Sequence, residues 1–177
     1  DVAPSRGLGD VYKRQVYQDE QFRYLTEKLN GYITGAYIYN KMGLTEQVAT
    51  TITIATPNPV RRFRFKNLDI ECVKAYCMVY PDESLVPYLR LLDAIKDMKR
   101  IPGTTGQDIY NRVKSQYFNG YSLPELEKIV SLAKSYPPRV RKVVADILGD
   151  IRQTVLQTEM AKTILPTTRF NLDYKTA

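Results

Sequence analysis

The apolar residues of this chain change their spacing at residue 50, and that change requires a fold that combines helices with a sheet. Residues 50–56 read TTITIAT, in which Ile52 and Ile54 alternate with threonines. An alternation of β-branched residues favours a strand with one buried face. The strand is expected to end at the breaker Pro57-Asn58-Pro59.

Two further alternating runs come after this breaker. In the first run, Phe63 and Phe65 share one face of a predicted strand. In the second run, the apolar face is formed by Leu68, Ile70 and Cys72. The short link Lys66-Asn67 between the two runs predicts a tight turn. The region therefore predicts three short antiparallel strands, which need a helical layer over their apolar side to be stable.

Before and after these strands in the sequence, apolar residues recur at helical spacing. Ser84 and Thr34 are predicted N-caps, and Ser122 with Glu125 matches a capping box. Beyond about Leu156 no regular pattern is evident. We predict an α+β domain in which a bundle of about five to six helices covers a small three-stranded antiparallel sheet. The predicted helices span residues 16–30, 34–43, 84–100 and 106–118, and two more begin at Ser122 and at Pro137-Pro138.

Residues 1–15 show neither helical nor strand periodicity. Within them, RGLGDVYKRQ (residues 6–15) resembles a translated adapter sequence that recurs at the ends of proteins assembled from metagenomic reads. We therefore expect residues 1–15 to be a non-native or disordered leader. Residues 16–177 are expected to form a single domain.

The amino-acid composition excludes several classes of catalytic and metal-binding site. The chain has 177 residues, of which 44% are apolar and 25% charged, as is typical of a globular domain. It contains no histidine, which excludes His-based catalytic triads, HExxH zinc sites and Cys2His2 fingers. The two cysteines, Cys72 and Cys77, lack a second pair of zinc ligands. We expect reduced thiols, no cofactor, no metal, no membrane segment and a cytoplasmic location.

The acidic residues offer two candidate sites. Asp93 and Asp97 lie four residues apart on one predicted helix, as a metal-binding or acid–base pair would, but Lys96 and Arg100 make solvated ion pairs the favoured interpretation. Asp69, Glu71 and Lys74 resemble a nuclease motif, yet the spacing from Glu71 to Lys74 is wrong for one strand face. We predict no catalytic set, and an enzyme of nucleotidyltransferase or nuclease type is the third hypothesis.

The excess of positive charge indicates a function more strongly than the acidic residues do. The chain carries 26 Lys and Arg against 19 Asp and Glu, a net charge of +7, which favours an anionic partner. The candidate binding residues fall into two clusters, Arg61, Arg62, Arg64 and Lys66 on a predicted strand, and Arg139, Arg141 and Lys142 in the first turn of a predicted helix. The first cluster has an alternative explanation, a solvated edge strand that resists aggregation by its charge. The alternative for the second cluster is an ion pair with a carboxylate from a neighbouring element.

Several stretches together resemble the AbiEi-like antitoxins of bacterial type IV toxin–antitoxin systems. The resemblance covers roughly residues 16–155 and is carried by residues 31–47 (GYITGAYIYNKMGLTEQ), the strand from Ile52, the pair Arg61-Arg62, residues 91–97 (LLDAIKD) with Ile101-Pro102, and YPPRVR at 136–141.

The resemblance implies a role in phage defence. Such proteins pair an amino-terminal winged-helix DNA-binding domain, which represses their own operon, with a second domain that neutralises a nucleotidyltransferase-like toxin. No winged helix is visible in this sequence, so the resemblance implies that residues 16–177 correspond to the second domain. The expected function is a non-enzymatic antitoxin that binds the toxin, with operator DNA as a further partner. The alternative is a nucleic-acid-binding regulator whose basic clusters contact phosphates.

Overall fold

A computed structural model describes residues 2–57, 61–77 and 82–177. The predicted breaker at residues 57–59 therefore lies partly outside the described residues. The described part contains seven α-helices and four strands: α1 (Val2–Leu29), β1 (Tyr32–Thr34), α2 (Ala36–Lys41), β2 (Thr51–Thr56), β3 (Arg62–Phe65), β4 (Leu68–Lys74), α3 (Val86–Lys96), α4 (Gly106–Gln116), α5 (Leu123–Ala133), α6 (Pro138–Asp150) and α7 (Thr154–Ala161).

The α+β class is confirmed, but the predicted three-stranded antiparallel sheet is wrong in detail. The sheet has four strands in the order β1-β2-β4-β3. The β3–β4 and β1–β2 pairs are antiparallel, whereas β2 and β4 are parallel. The tight turn at Lys66-Asn67 does join β3 to β4, but it places β4, not β3, beside β2. Residue alternation predicts which side chains share a face and carries no information on which strands are neighbours.

The fourth strand, β1, lies where the sequence predicted the start of a helix. Thr34 was expected to cap that helix, but it is the last residue of β1 and Gly35 is the N-cap of α2. Gly35 has a φ of 79°, a conformation that glycine adopts without strain. Gly31 precedes the strand, and a Cβ there would collide with the carbonyl oxygen of Ala55 on β2. The two glycines allow a short strand to pair closely with β2.

Several helix boundaries also differ from the expectation. Helix α1 extends back from Leu29 to Val2, through the stretch in which no periodicity was found. Asp82, not Ser84, caps the turn before α3, because its side chain accepts a hydrogen bond from the Ser84 amide. Helix α3 ends at Lys96. The capping box of Ser122 and Glu125 is confirmed at α5, and α7 was not predicted.

The sheet lies between two helical layers. On one face, strand residues that include Ile54, Ile70 and Cys72 pack against Leu25 and Leu29 of α1 and Ile38 of α2. On the other face, Tyr32 and Ala55 join the larger core that α3 to α7 form. The bundle covers only part of this second face, so Arg62, Arg64 and Asp69 on β3 and β4 remain exposed. In the described part of the chain no helix is both long and apolar enough to cross a membrane.

A buried carboxylate connects the sheet to the bundle. Asp93 on α3 is 2% exposed, and its carboxylate accepts hydrogen bonds of 2.7 Å from the hydroxyls of Tyr32, Thr34 and Tyr136. The solvated ion pair expected at Asp93 is therefore wrong, because the carboxylate lies in the core and its partners are hydroxyls. Burial raises the pKa of the Asp93 carboxyl, and Lys96 and the three hydrogen bonds oppose that shift only in part.

We expect Asp93→Ala to lower the free energy of unfolding by about 3–5 kcal/mol, because three buried hydroxyls would lose their acceptor. Tyr136→Phe removes one hydrogen bond and should cost about 1–2 kcal/mol. The control Asp69→Ala, at an exposed position, should stay within about 0.5 kcal/mol of wild type. Urea unfolding measures all three, and an Asp93→Ala protein as stable as the control would contradict this account.

The pH dependence of stability has a defined sign. In the unfolded chain the Asp93 carboxyl has the ordinary pKa of an aspartate, about 3.9. In the folded chain this pKa is raised, so the folded chain still holds the Asp93 proton at a pH at which the unfolded chain has released it. The contribution of Asp93 to stability is therefore greatest in acid and falls as the pH rises toward the folded pKa. We expect the free energy of unfolding of wild type, relative to Asp93→Asn, to fall from pH 4 upward. A difference that stays constant or rises in urea titrations would contradict the raised pKa.

Candidate functional site

The exposed part of the sheet carries charged residues on adjacent strands. Antiparallel pairing sets Arg62 on β3 opposite Glu71 on β4, and Arg64 opposite Asp69. The guanidinium groups lie 3.2 and 3.5 Å from these carboxylates, and the two arginine side chains are 77% and 67% exposed. Arg62 and Arg64, two of the four cations predicted to form one cluster, thus share this face, with a carboxylate beside each.

The other two cations of the first cluster lie on the opposite face. Lys66 has a φ of 54° in the β3–β4 turn, which breaks the strand alternation, and its Nζ lies 3.1 Å from the Tyr17 hydroxyl on α1. Arg61 lies before β3 on the Phe63 side, with its guanidinium carbon 4.9 Å from the centre of that ring. The four residues that the sequence placed in one cluster are therefore divided between two faces.

A cleft of about 340 Å³ continues the exposed sheet face toward the end of α3. Thr53 and Glu71 line it from the sheet, and Asp97 and Arg100 line it from the bundle. Asp97 accepts a hydrogen bond of 2.7 Å from Tyr39 and lies 3.4 Å from Arg100, so the ion pair expected at Asp97 is present. We call these residues together the charged sheet face: Arg62, Arg64, Asp69, Glu71, Lys96, Asp97 and Arg100.

Sequence reasoning missed most of the charged sheet face. The carboxylates Asp69 and Glu71 were considered only as a nuclease motif, although they alternate with the apolar residues of β4 and therefore had to face the Arg62 side. The contribution of Lys96 and Arg100 had no local signal. They reach the sheet because α3 packs across β1, far away in sequence.

The second basic cluster contacts partners within the protein. Arg139 lies 2.8 Å from Asp173, and Lys142 lies 2.9 Å from Asp146 one turn further along α6. Arg141 donates hydrogen bonds to the carbonyl oxygens of Tyr136 and Thr163. The alternative of a carboxylate from a neighbouring element accounts for Arg139. Arg139 and Arg141 connect α6 to the segment after α7 and to Tyr136 just before the helix, whereas the Lys142 ion pair lies within α6.

Asp150, outside the charged sheet face, also has its hydrogen-bond partners within the protein. Asp150 accepts hydrogen bonds from Tyr110 at 2.6 Å, from Lys114 at 3.1 Å and from the Ala177 amide at 3.0 Å. Burial opposes ionisation there, and these hydrogen bonds outweigh it and lower the pKa of Asp150. Cys72 is fully buried on the apolar sheet face, as predicted. Within residues 2–57, 61–77 and 82–177, no three His, Cys, Asp or Glu side chains are grouped to hold a metal ion.

We expect Arg141→Ala to lower the free energy of unfolding by about 1–3 kcal/mol, because two charge-assisted hydrogen bonds to carbonyls are lost. The control Lys134→Ala breaks an exposed ion pair with Glu159 and should cost about 0.5 kcal/mol or less. Urea unfolding compares the two proteins. If both are as stable as wild type, Arg141 does not hold α6 to the segment after α7.

The comparisons with known proteins add no assignment. The chain matches no protein-family model, no curated protein and no solved structure. The resemblance to AbiEi-like antitoxins therefore stays a prediction that rests on the sequence motifs alone.

Proposed function

We propose that this chain is a non-enzymatic binding domain of the antitoxin type, and that it binds a nucleotidyltransferase-like toxin through the charged sheet face. The observation that carries the proposal is the pair of exposed cross-strand contacts, Arg62 with Glu71 and Arg64 with Asp69. A cytoplasmic location is part of the same proposal.

The mixed signs of this face favour a protein partner. A nucleic-acid backbone is uniformly anionic, so Asp69 and Glu71 would repel it beside the very arginines that attract it. A protein surface can present carboxylates to the arginines and cations to the carboxylates. Exposed ion pairs of this kind contribute only about 0–1 kcal/mol to stability, so their side chains can exchange partners when a second protein docks.

The internal hydrogen bonds of the acidic residues support a non-enzymatic role. Asp93 and Asp150 are the carboxylates with shifted pKa values in the core region, and hydroxyls and a lysine occupy their oxygens. A general acid or base needs an oxygen or a proton that a substrate can reach. These two carboxylates instead connect elements of the fold.

The test is co-expression of the full chain with the nucleotidyltransferase-like protein of the neighbouring gene, followed by size-exclusion chromatography at about 50 and about 500 mM salt, which brackets weak and strong screening. We expect co-elution with wild type, and loss of the complex with the double variant Arg62→Glu/Arg64→Glu. The matched control is Lys134→Glu/Lys162→Glu, which changes the net charge equally at exposed positions directly after α5 and α7.

Two results would contradict the proposal. One is that wild type and toxin elute separately at both salt concentrations. The other is that both double variants weaken the complex equally, since the effect would then depend on net charge and not on the sheet face. Nucleic acid that co-purifies at low salt in place of the toxin would favour the alternative, a nucleic-acid-binding regulator.

A further inference from the structure

The opposite side of β3 presents a different surface, made of aromatic rings and lysines. Tyr17 and Tyr24 on α1 are about half exposed, at 49% and 50%. Lys28 and Tyr24 lie on the same side of α1 as Tyr17, since they are eleven and seven residues further on. Phe65 and Lys66 adjoin this stripe from the β3–β4 hairpin. We call these five residues the aromatic–lysine face.

The rings and the cations of this face are interleaved. Lys66 lies 5.1 Å from the ring centre of Tyr17 and 5.7 Å from that of Phe65. Phe65 stacks on Tyr24 with ring centres 5.5 Å apart and planes 17° from parallel. The Nζ of Lys28 lies 5.7 Å from the Tyr24 ring. Both tyrosines thus contact a neighbouring cation and keep about half of their surface exposed.

A polar groove of about 560 Å³ adjoins Tyr17 between α1, α2 and the hairpin turn. Lys41, Asn67 and Gln21 line it, together with the carboxylate of Asp19. The Gln21 side-chain amide nitrogen has no hydrogen-bond partner among the described residues, although Gln21 is only 5% exposed. Lys41 and Asn67 therefore offer hydrogen-bond donors in the groove, next to an exposed ring.

The lysines of this side differ from the arginines of the charged sheet face. Among the described residues, Lys28, Lys41 and Lys66 form no ion pair with a carboxylate. Their ammonium groups are therefore not held in direct contact with a carboxylate. Glu20 lies three residues after Tyr17 on α1, and Glu27 lies three residues after Tyr24, so their carboxylates flank the stripe without pairing with these three lysines.

We propose that the aromatic–lysine face and its groove bind single-stranded nucleic acid, with bases stacked on Tyr17 and Tyr24 and phosphates at Lys28, Lys41 and Lys66. Alternating aromatic rings and cations are the arrangement by which proteins hold unpaired strands without reading their sequence. A duplex fits less well, because its bases are already stacked on one another. This binding is separate from the proposed toxin contact, since Phe65 and Arg64 point to opposite faces of the sheet.

The experiment is fluorescence anisotropy of the full chain with a labelled oligothymidine and oligouridine of about 12 nucleotides, within the range that one binding module covers. With three phosphate contacts, the logarithm of the affinity should fall by about two units per tenfold rise in salt. Tyr17→Ala and Tyr24→Ala should each weaken binding by about 5- to 100-fold, because each loses a stacked base. Lys66→Gln should reduce the salt slope by about 0.7.

Matched variants separate stacking from folding. Tyr17→Phe and Tyr24→Phe keep the ring and should bind within about twofold of wild type, since stacking does not need the hydroxyl. Arg62→Ala/Arg64→Ala on the other face should also leave binding unchanged. The proposal is overturned by any of three results: no binding up to about 100 µM protein at low salt, equal affinity for a duplex of the same length, or equal losses for the Phe and Ala variants when circular dichroism shows both folded.

Discussion

The carboxylate of Asp93 is the contact on which the arrangement of the two layers depends. It lies inside α3 and accepts hydrogen bonds from β1 through Tyr32 and Thr34, and from the start of α6 through Tyr136. Any sliding of the sheet against the bundle would leave a buried hydroxyl or the carboxylate without a partner, at a cost comparable to a large share of the stability of a domain. One end of the sheet is therefore fixed beneath α3 to α7, whereas these helices leave Arg62, Arg64 and Asp69 exposed on β3 and β4.

The β3–β4 hairpin therefore contributes to two different surfaces, one on each side of the sheet. Strand alternation sends Arg62 and Arg64 to one side and Phe63 and Phe65 to the other. The charged sheet face pairs cations with carboxylates, whereas the aromatic–lysine face combines rings with lysines that lack carboxylate partners among the described residues. The different chemistry of the two sides is the reason for assigning a protein partner to one and a single-stranded nucleic acid to the other. Arg139 and Arg141 of α6 instead connect that helix to the segment after α7.

Features that depend on local periodicity could be predicted from the sequence, and features that depend on distant contacts could not. The capping box at Ser122 and the division of Phe63 from Arg62 are local, and both are confirmed. The strand β1 has three buried residues and no alternation, so it carries no strand signal. The burial of Asp93 and the pairing of Arg139 with Asp173 join residues 34 to 61 positions apart. Helical spacing alone made Asp93 resemble a surface ion pair.

The central claim, that the charged sheet face is the protein-binding surface, is tested most directly by hydrogen–deuterium exchange of the chain with and without the proposed nucleotidyltransferase-like toxin. We expect slower amide exchange in β3, β4 and the end of α3, which contain or adjoin Arg62, Glu71 and Asp97, with α6 unchanged. Protection that appears at the start of α6, around Arg139 and Arg141, and is absent from β3 and β4 would contradict the claim.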